Sequence, residues 1–224
     1  MRMKTSTKRK DVVALHHSKT VKRLGNVSEF KLPHTLPCKS RFYRSIMPLG
    51  LYDDAHDVLS AWRRHKFTHV ISLTPQEEIK RKVCGSLLKQ IKQALPSAAV
   101  IRLPIEKNMV LMRRTAFIKS FGRLLHRVFD ELATCRRPHK VVVHCSAGVG
   151  RTGFFFAGLL MHLGYNLLDS VALVERNLGK RVAEYKLDVL DTYFDWYLET
   201  HPDREDTWPT TSKKKKKTVS KKTM

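Results

Sequence analysis

The stretch VVVHCSAGVGRTGFFFAG, Val141 to Gly158, decides how this chain is read. Three valines lead into His144 and Cys145, and an uncharged run, Ser146 to Gly150, leads to Arg151 and Thr152. Consecutive β-branched residues predict a buried strand, and the apolar run after the glycines predicts a helix. A strand, a glycine-containing loop and a helix N-terminus together form a cradle for an anion, because backbone N–H groups converge there and the helix dipole adds positive potential.

Outward from this stretch the elements alternate. RFYRSIMP, THVISLT, AAVIRLPI and KVVVHC read as strands. DDAHDVLSAWRRHKF reads as a helix with Asp53 or Asp54 as N-cap, and EEIKRKVCGSLLKQIKQAL reads as helical. RTAFIKSFGRLLHRVFDELATC is amphipathic, with Lys119, Arg123 and Arg127 on the polar side. GFFFAGLLMHLG, LLDSVALVERNL and YKLDVLDTYFDWYLE complete the helices. Strands alternating with helices predict an α/β fold with a central, mostly parallel sheet of about four to five strands flanked by helices. Ligands bind beyond the carboxyl ends of such strands, where Cys145 falls.

The residue types in the loop specify a chemistry. A free thiol with a pKa of about 8.5 is acidified by a helix N-terminus or a nearby cation. Arg151 supplies the cation, and its planar fork matches two phosphate oxygens. Thr152 can donate a hydrogen bond to the sulfur. Gly148 and Gly150 permit turns that a Cβ would hinder. His144 reads as structural support of the loop. The set predicts nucleophilic attack of Cys145 on a phosphate ester. Ser146, Ala147, Gly148, Val149, Gly150 and Arg151 would bind the phosphate, and a phosphocysteine intermediate would then be hydrolysed by water. No metal or other cofactor is called for.

HCSAGVGRTG resembles the signature loop of the cysteine-based protein tyrosine phosphatase superfamily, His-Cys-x5-Arg-Ser/Thr, with every fixed position present. Roughly residues 40–200 resemble its compact dual-specificity-like branch, and SIMPLGLYDDAHDVLSAWRRHKFTHVISLT is similar to that branch's early strand–helix–strand unit. The Trp-Pro-Asp loop of larger relatives is absent; TWPT lies near the C-terminal end. Gln76, Gln90 and Gln93 all precede the signature, so the late glutamine loop is missing too. The resemblance implies a phosphatase-like fold and a protein tyrosine or dual-specificity phosphatase.

The resemblance also implies an aspartate soon after a Pro-Ile strand end, acting as proton donor to the leaving oxygen. General acids of this kind contribute roughly 10²–10⁴-fold. In LPIEKNMVL that position is Lys107. Glu106 is adjacent and becomes the candidate acid, with Asp53 and Asp54 as alternatives.

Substrate expectations pull two ways. The uncharged loop favours a singly phosphorylated ester, phosphotyrosine on a protein first, with phosphoserine and phosphothreonine also open. The net charge of +23 favours polyanions. The alternatives are a phosphatase of phosphoinositides or RNA 5′-phosphates, or a phosphate-binding module with weak turnover. Residues 1–37 read as a basic N-terminal arm, 38–201 as the catalytic domain and 202–224 as a polybasic tail. RNA or acidic lipid could bind these basic tails, while the oligomeric state is left open. No apolar run approaches the ~20 residues of a membrane span, and no signal peptide is apparent. Unpaired spacings of Cys38, Cys84, Cys135 and Cys145 fit free thiols in a reducing compartment. Cys84 or Cys135 is a candidate redox partner of Cys145. An intracellular location is expected, in the cytoplasm, with nuclear entry through the tails also open.

Overall fold

A computed structural model describes residues 26–33, 39–53, 57–83, 85–106, 115–134, 137–180, 182 and 184–201. The strands are β1 (Val27–Phe30), β2 (Arg41–Ser45), β3 (His69–Ser72), β4 (Ala99–Arg102) and β5 (Lys140–His144). They form one sheet in the order β1-β2-β5-β3-β4. All pairings are parallel except β1 with β2. The α/β class and the flanked, mostly parallel sheet are therefore as the sequence predicts.

Central strand β5 pairs with β2 on one side and β3 on the other. It is buried from Val141 to His144, as a parallel strand covered on both faces should be. Helices α1 (Val58–His65), α2 (Gln76–Lys82) and α3 (Leu87–Ala94) pack one face through Trp62, Ile79, Leu87 and Ile91. On the other face lie α4 (Thr115–Thr134), α5 (Gly150–His162), α6 (Leu167–Leu178) and α7 (Glu184–Thr200), meeting around Phe121, Phe154, Phe155 and Tyr193. Helix α5 is buried from Arg151 to His162, which is why its sequence is apolar all round. Lys119, Arg123 and Arg127 of α4 are exposed, as expected of its polar side.

Three expectations need correction. Residues 27–30, placed in the N-terminal arm, form β1 and pair with β2 in antiparallel register, Val27 opposite Ser45. The strand is short, carries Glu29 and sits at the sheet edge, so it offers none of the apolar run that marks the inner strands. The single helix expected over EEIKRKVCGSLLKQIKQAL is two helices. Gly85 adopts φ +83° between them, and Ser86 opens α3 by accepting from the Lys89 N–H. Helix α1 begins at Val58, later than expected, with Asp57 at the N-cap position. Among the described residues, no helix is long and apolar enough to cross a membrane. Cys38, Cys84, Cys135, Asp54, Lys107, residues 1–25 of the basic arm and the polybasic tail 202–224 lie outside the described residues.

Candidate active site

Strand β5 delivers Cys145 to the C-terminal edge of the sheet, and α5 starts at Gly150. The loop between them is pinned to the sheet's end: the Met47 N–H donates to the Ser146 carbonyl at 3.1 Å. At Gly148 φ is +65°, and a Cβ there would collide with the Ser45 carbonyl oxygen. Backbone conformation and space thus both require glycine. Ser146, Ala147 and Val149 are buried with Cys145, and Gly150 is partly exposed.

Thr152, on the first turn of α5, donates from Oγ1 to Cys145 Sγ at 3.3 Å. Burial alone would push the thiol pKa up. The Arg151 charge, the Thr152 hydroxyl and the N–H groups of Thr152 and Gly148 outweigh burial and hold the thiol below its ordinary value. A thiol so placed is biased towards the nucleophilic thiolate.

Arg151 is held by a partner that the sequence did not reveal. Its Nη1 and Nη2 reach Glu78 Oε2 and Oε1 at 2.7 and 2.9 Å, a bidentate pair, and Nη1 also donates to the Ile105 carbonyl at 3.2 Å. Both residues of the pair are buried. Three of the guanidinium's five N–H donors are occupied in fixing the fork. The Nε–H and one Nη2–H remain for the sulfur and an incoming phosphate. Burial would push the Glu78 carboxyl up, but hydrogen bonds from Arg151 and Lys82 bring it down to about 2. Lys82 extends the network, donating to Glu78 Oε1 at 2.6 Å and to Ser146 Oγ in the loop at 3.0 Å. A Glu and a Lys four residues apart are visible in QEEIKRK, but their tie to a loop far along the chain is not.

His144 is fully buried and packs on Trp62, with ring centroids 5.5 Å apart. Burial is the main cause that lowers its pKa to about 4; the Arg151 charge adds to this, and the neighbouring Cys145 backbone opposes it. The ring is therefore a neutral imidazole packed in the core at the end of β5. Asp53 is engaged by backbone N–H groups. Its Oδ2 accepts from the Leu49 N–H at 2.7 Å, and its Oδ1 accepts from the N–H groups of Asp57 and Val58 at 3.0 and 3.4 Å. Two of these three N–H groups stand at the start of α1, so Asp53 ties the preceding loop to that helix. Glu106 is exposed and follows Ile105, whose carbonyl binds Arg151. Among the described residues, no group of three His, Cys, Asp or Glu side chains is placed to hold a metal ion.

A family model described as "Tyrosine phosphatase family" matches residues 38–169. Tyrosine-protein phosphatase 1 of Saccharomyces cerevisiae is 42% identical over 57 residues, which are 25% of this chain and 16% of the yeast protein. The match thus spans well under two thirds of that relative. Among solved structures, kinase associated phosphatase, carrying a serine in place of its catalytic cysteine, superposes with a TM-score of 0.60 at 14% identity, covering 80% of this chain and 94% of that one. The active form of Tk-PTP gives 0.55 at 20% identity, with coverages of 75% and 97%. At these identities the structures speak for the fold alone. The family model, however, takes in more than half of the sequence, including all of β2 to α5, and by that match the chain belongs to the tyrosine phosphatase family.

Proposed function

We propose that this protein hydrolyses phosphate monoesters through a phosphocysteine intermediate, with phosphotyrosine on proteins as the preferred substrate. The observation that carries the reading is the acidified Cys145 thiol beside a guanidinium whose orientation is fixed by Glu78. The thiolate attacks phosphorus in line with the leaving oxygen. Loop N–H groups from Ser146 to Arg151 and the remaining Arg151 donors hold the equatorial oxygens as charge redistributes. Glu106 protonates the departing phenolic oxygen. It then takes a proton from the water that attacks the phosphocysteine, and Thr152 stabilises the thiolate as it leaves. Phosphoserine and phosphothreonine are further substrates of the same chemistry.

The uncharged residues between Cys145 and Arg151 favour a single phosphate. One observation favours a second reading: Lys82 Nζ lies 3.0 Å from Ser146 Oγ, so a cation reaches the loop from α2. A phosphoinositide or an RNA 5′-phosphate would place a further anionic group there. The test is phosphate release from a phosphotyrosine peptide, a phosphoserine peptide, a phosphoinositide and a 5′-triphosphorylated RNA, by wild type and Glu106→Gln. Faster turnover of the phosphotyrosine peptide, slowed about 10²-fold in Glu106→Gln, supports the proposal. Preference for a polyanion moves the substrate to the second class. Unchanged activity in Glu106→Gln removes that residue from the mechanism. Stoichiometric binding without turnover would leave phosphate capture as the function.

A further inference from the structure

Arg44 is fully buried at the C-terminal end of β2, beside Val143 of β5. It shares its strand face with Phe42, which lies in the core beneath α5. A methyl group at Gly148 would come within 3.0 Å of Arg44 Nη1, so the guanidinium lies directly against the loop at its tightest turn. Edge strand β1 orients it: Arg44 Nε donates to Ser28 Oγ at 3.0 Å. Burying a guanidinium is unfavourable unless its charge is used. Here burial pulls the Arg44 pKa down to about 10, against the opposing attraction of Cys145, so Arg44 is still a cation at neutral pH.

The other cations of the site leave it a role. Arg151, whose charge lowers the Cys145 thiol, is also tied at 2.7 Å to Glu78. Lys82 is paired to the same carboxylate at 2.6 Å. His144 is held neutral by burial, and the Tyr52 phenol, raised in part by the Cys145 charge, adds no positive charge. Arg44 lies against Gly148 from beneath the loop, and its charge and that of Cys145 attract.

We propose that Arg44 is a positioning residue that fixes the Gly148 turn and stabilises the Cys145 thiolate from beneath the loop, leaving Arg151 to bind substrate oxygens. This rests on the reading of Cys145 as nucleophile.

The test is the rate of iodoacetamide alkylation, followed by mass spectrometry at the Cys145 peptide, from pH 4 to 9. It is run on wild type, Arg44→Gln and Arg44→Lys, with thermal melting as the control for folding. Removing the attraction between the Arg44 charge and Cys145 should move the alkylation profile of Arg44→Gln about one unit to higher pH, roughly tenfold slower at any pH below the wild-type midpoint. Arg44→Lys, which keeps the charge, should recover most of that loss. A folded Arg44→Gln that titrates with wild type, or an Arg44→Lys indistinguishable from it, overturns the proposal. If Arg44→Gln does not melt cooperatively, Ser28→Ala takes its place. Freeing Nε should slow alkylation about two- to threefold, and no change would overturn the idea. A wild-type Cys145 that titrates like a free thiol, near ~8.5, would overturn the nucleophile reading itself.

Discussion

Replacing Glu78 by Gln removes the charge opposite Arg151 while keeping the side-chain shape. The pair is buried on both sides, at 9% and 10% side-chain exposure, and joined by two short hydrogen bonds. Removing one partner of a buried pair costs about 3–5 kcal/mol, because the other charge is left without compensation. The carboxyl itself gives a second measure. It titrates near 2 where its ordinary value is 4.5, a difference worth up to ~3 kcal/mol that screening at the solvent-lined mouth reduces to ~2. Gln keeps one oxygen for the fork, so the loss should sit near the lower figure. It divides between stability and catalysis, since a loosened Arg151 no longer holds phosphate oxygens in place. Glu78→Gln should lower kcat/KM on p-nitrophenyl phosphate by about 10–100-fold, and lower the urea midpoint of unfolding. The thiol should stay acidic, because removing a carboxylate from its surroundings does not favour the proton. Activity within twofold of wild type in a stably folded Glu78→Gln would refute the claim that Glu78 fixes the arginine.

Thr152→Ala removes the hydroxyl 3.3 Å from the sulfur. A hydrogen bond to a charged group is worth about 1.5–3 kcal/mol, so turnover should fall at least about tenfold. Rapid-quench experiments should show a burst as phosphocysteine accumulates. Gly148→Ala forces a Cβ onto the Ser45 carbonyl at φ +65°; destabilisation above ~1 kcal/mol by urea unfolding and near-complete loss of phosphatase activity are expected. His144 gives a pH dependence. The unfolded chain takes up its proton near 6.5 and the folded chain only near 4, so the His144 contribution to stability is present above 6.5 and lost as pH falls to 4. Its full size is ~3 kcal/mol. Urea unfolding of wild type between pH 7 and 4 should show this fall, and His144→Asn should flatten it; parallel curves would count against burial of a neutral imidazole.

What could be read from the sequence was local. The β5–loop–α5 unit is contiguous, and its residue types are chosen by the turn, the dipole and the anion, so Cys145, Arg151 and Thr152 were legible together. The inner strands were legible because burial on both faces demands runs such as VVV and HVIS. β1 escaped because an edge strand with Glu29 exposed carries no such run. Asp53 was rightly linked to the start of a helix, but its distance from Val58 hid how fully its oxygens are used. Glu78 escaped for a different reason. Its partner Arg151 is 73 residues away, and nothing in the local pattern of α2 says which face of so short a helix turns to the loop. Arg44 is charged within a buried strand, a local conflict that only the packing against Gly148 explains.

The central claim is tested most directly by phosphate release from p-nitrophenyl phosphate in the presence of a chelator, for wild type and Cys145→Ser. The account predicts turnover by wild type that the chelator does not abolish, and a loss of at least about a thousandfold in Cys145→Ser. Turnover that survives in Cys145→Ser, or that the chelator abolishes in wild type, would contradict it.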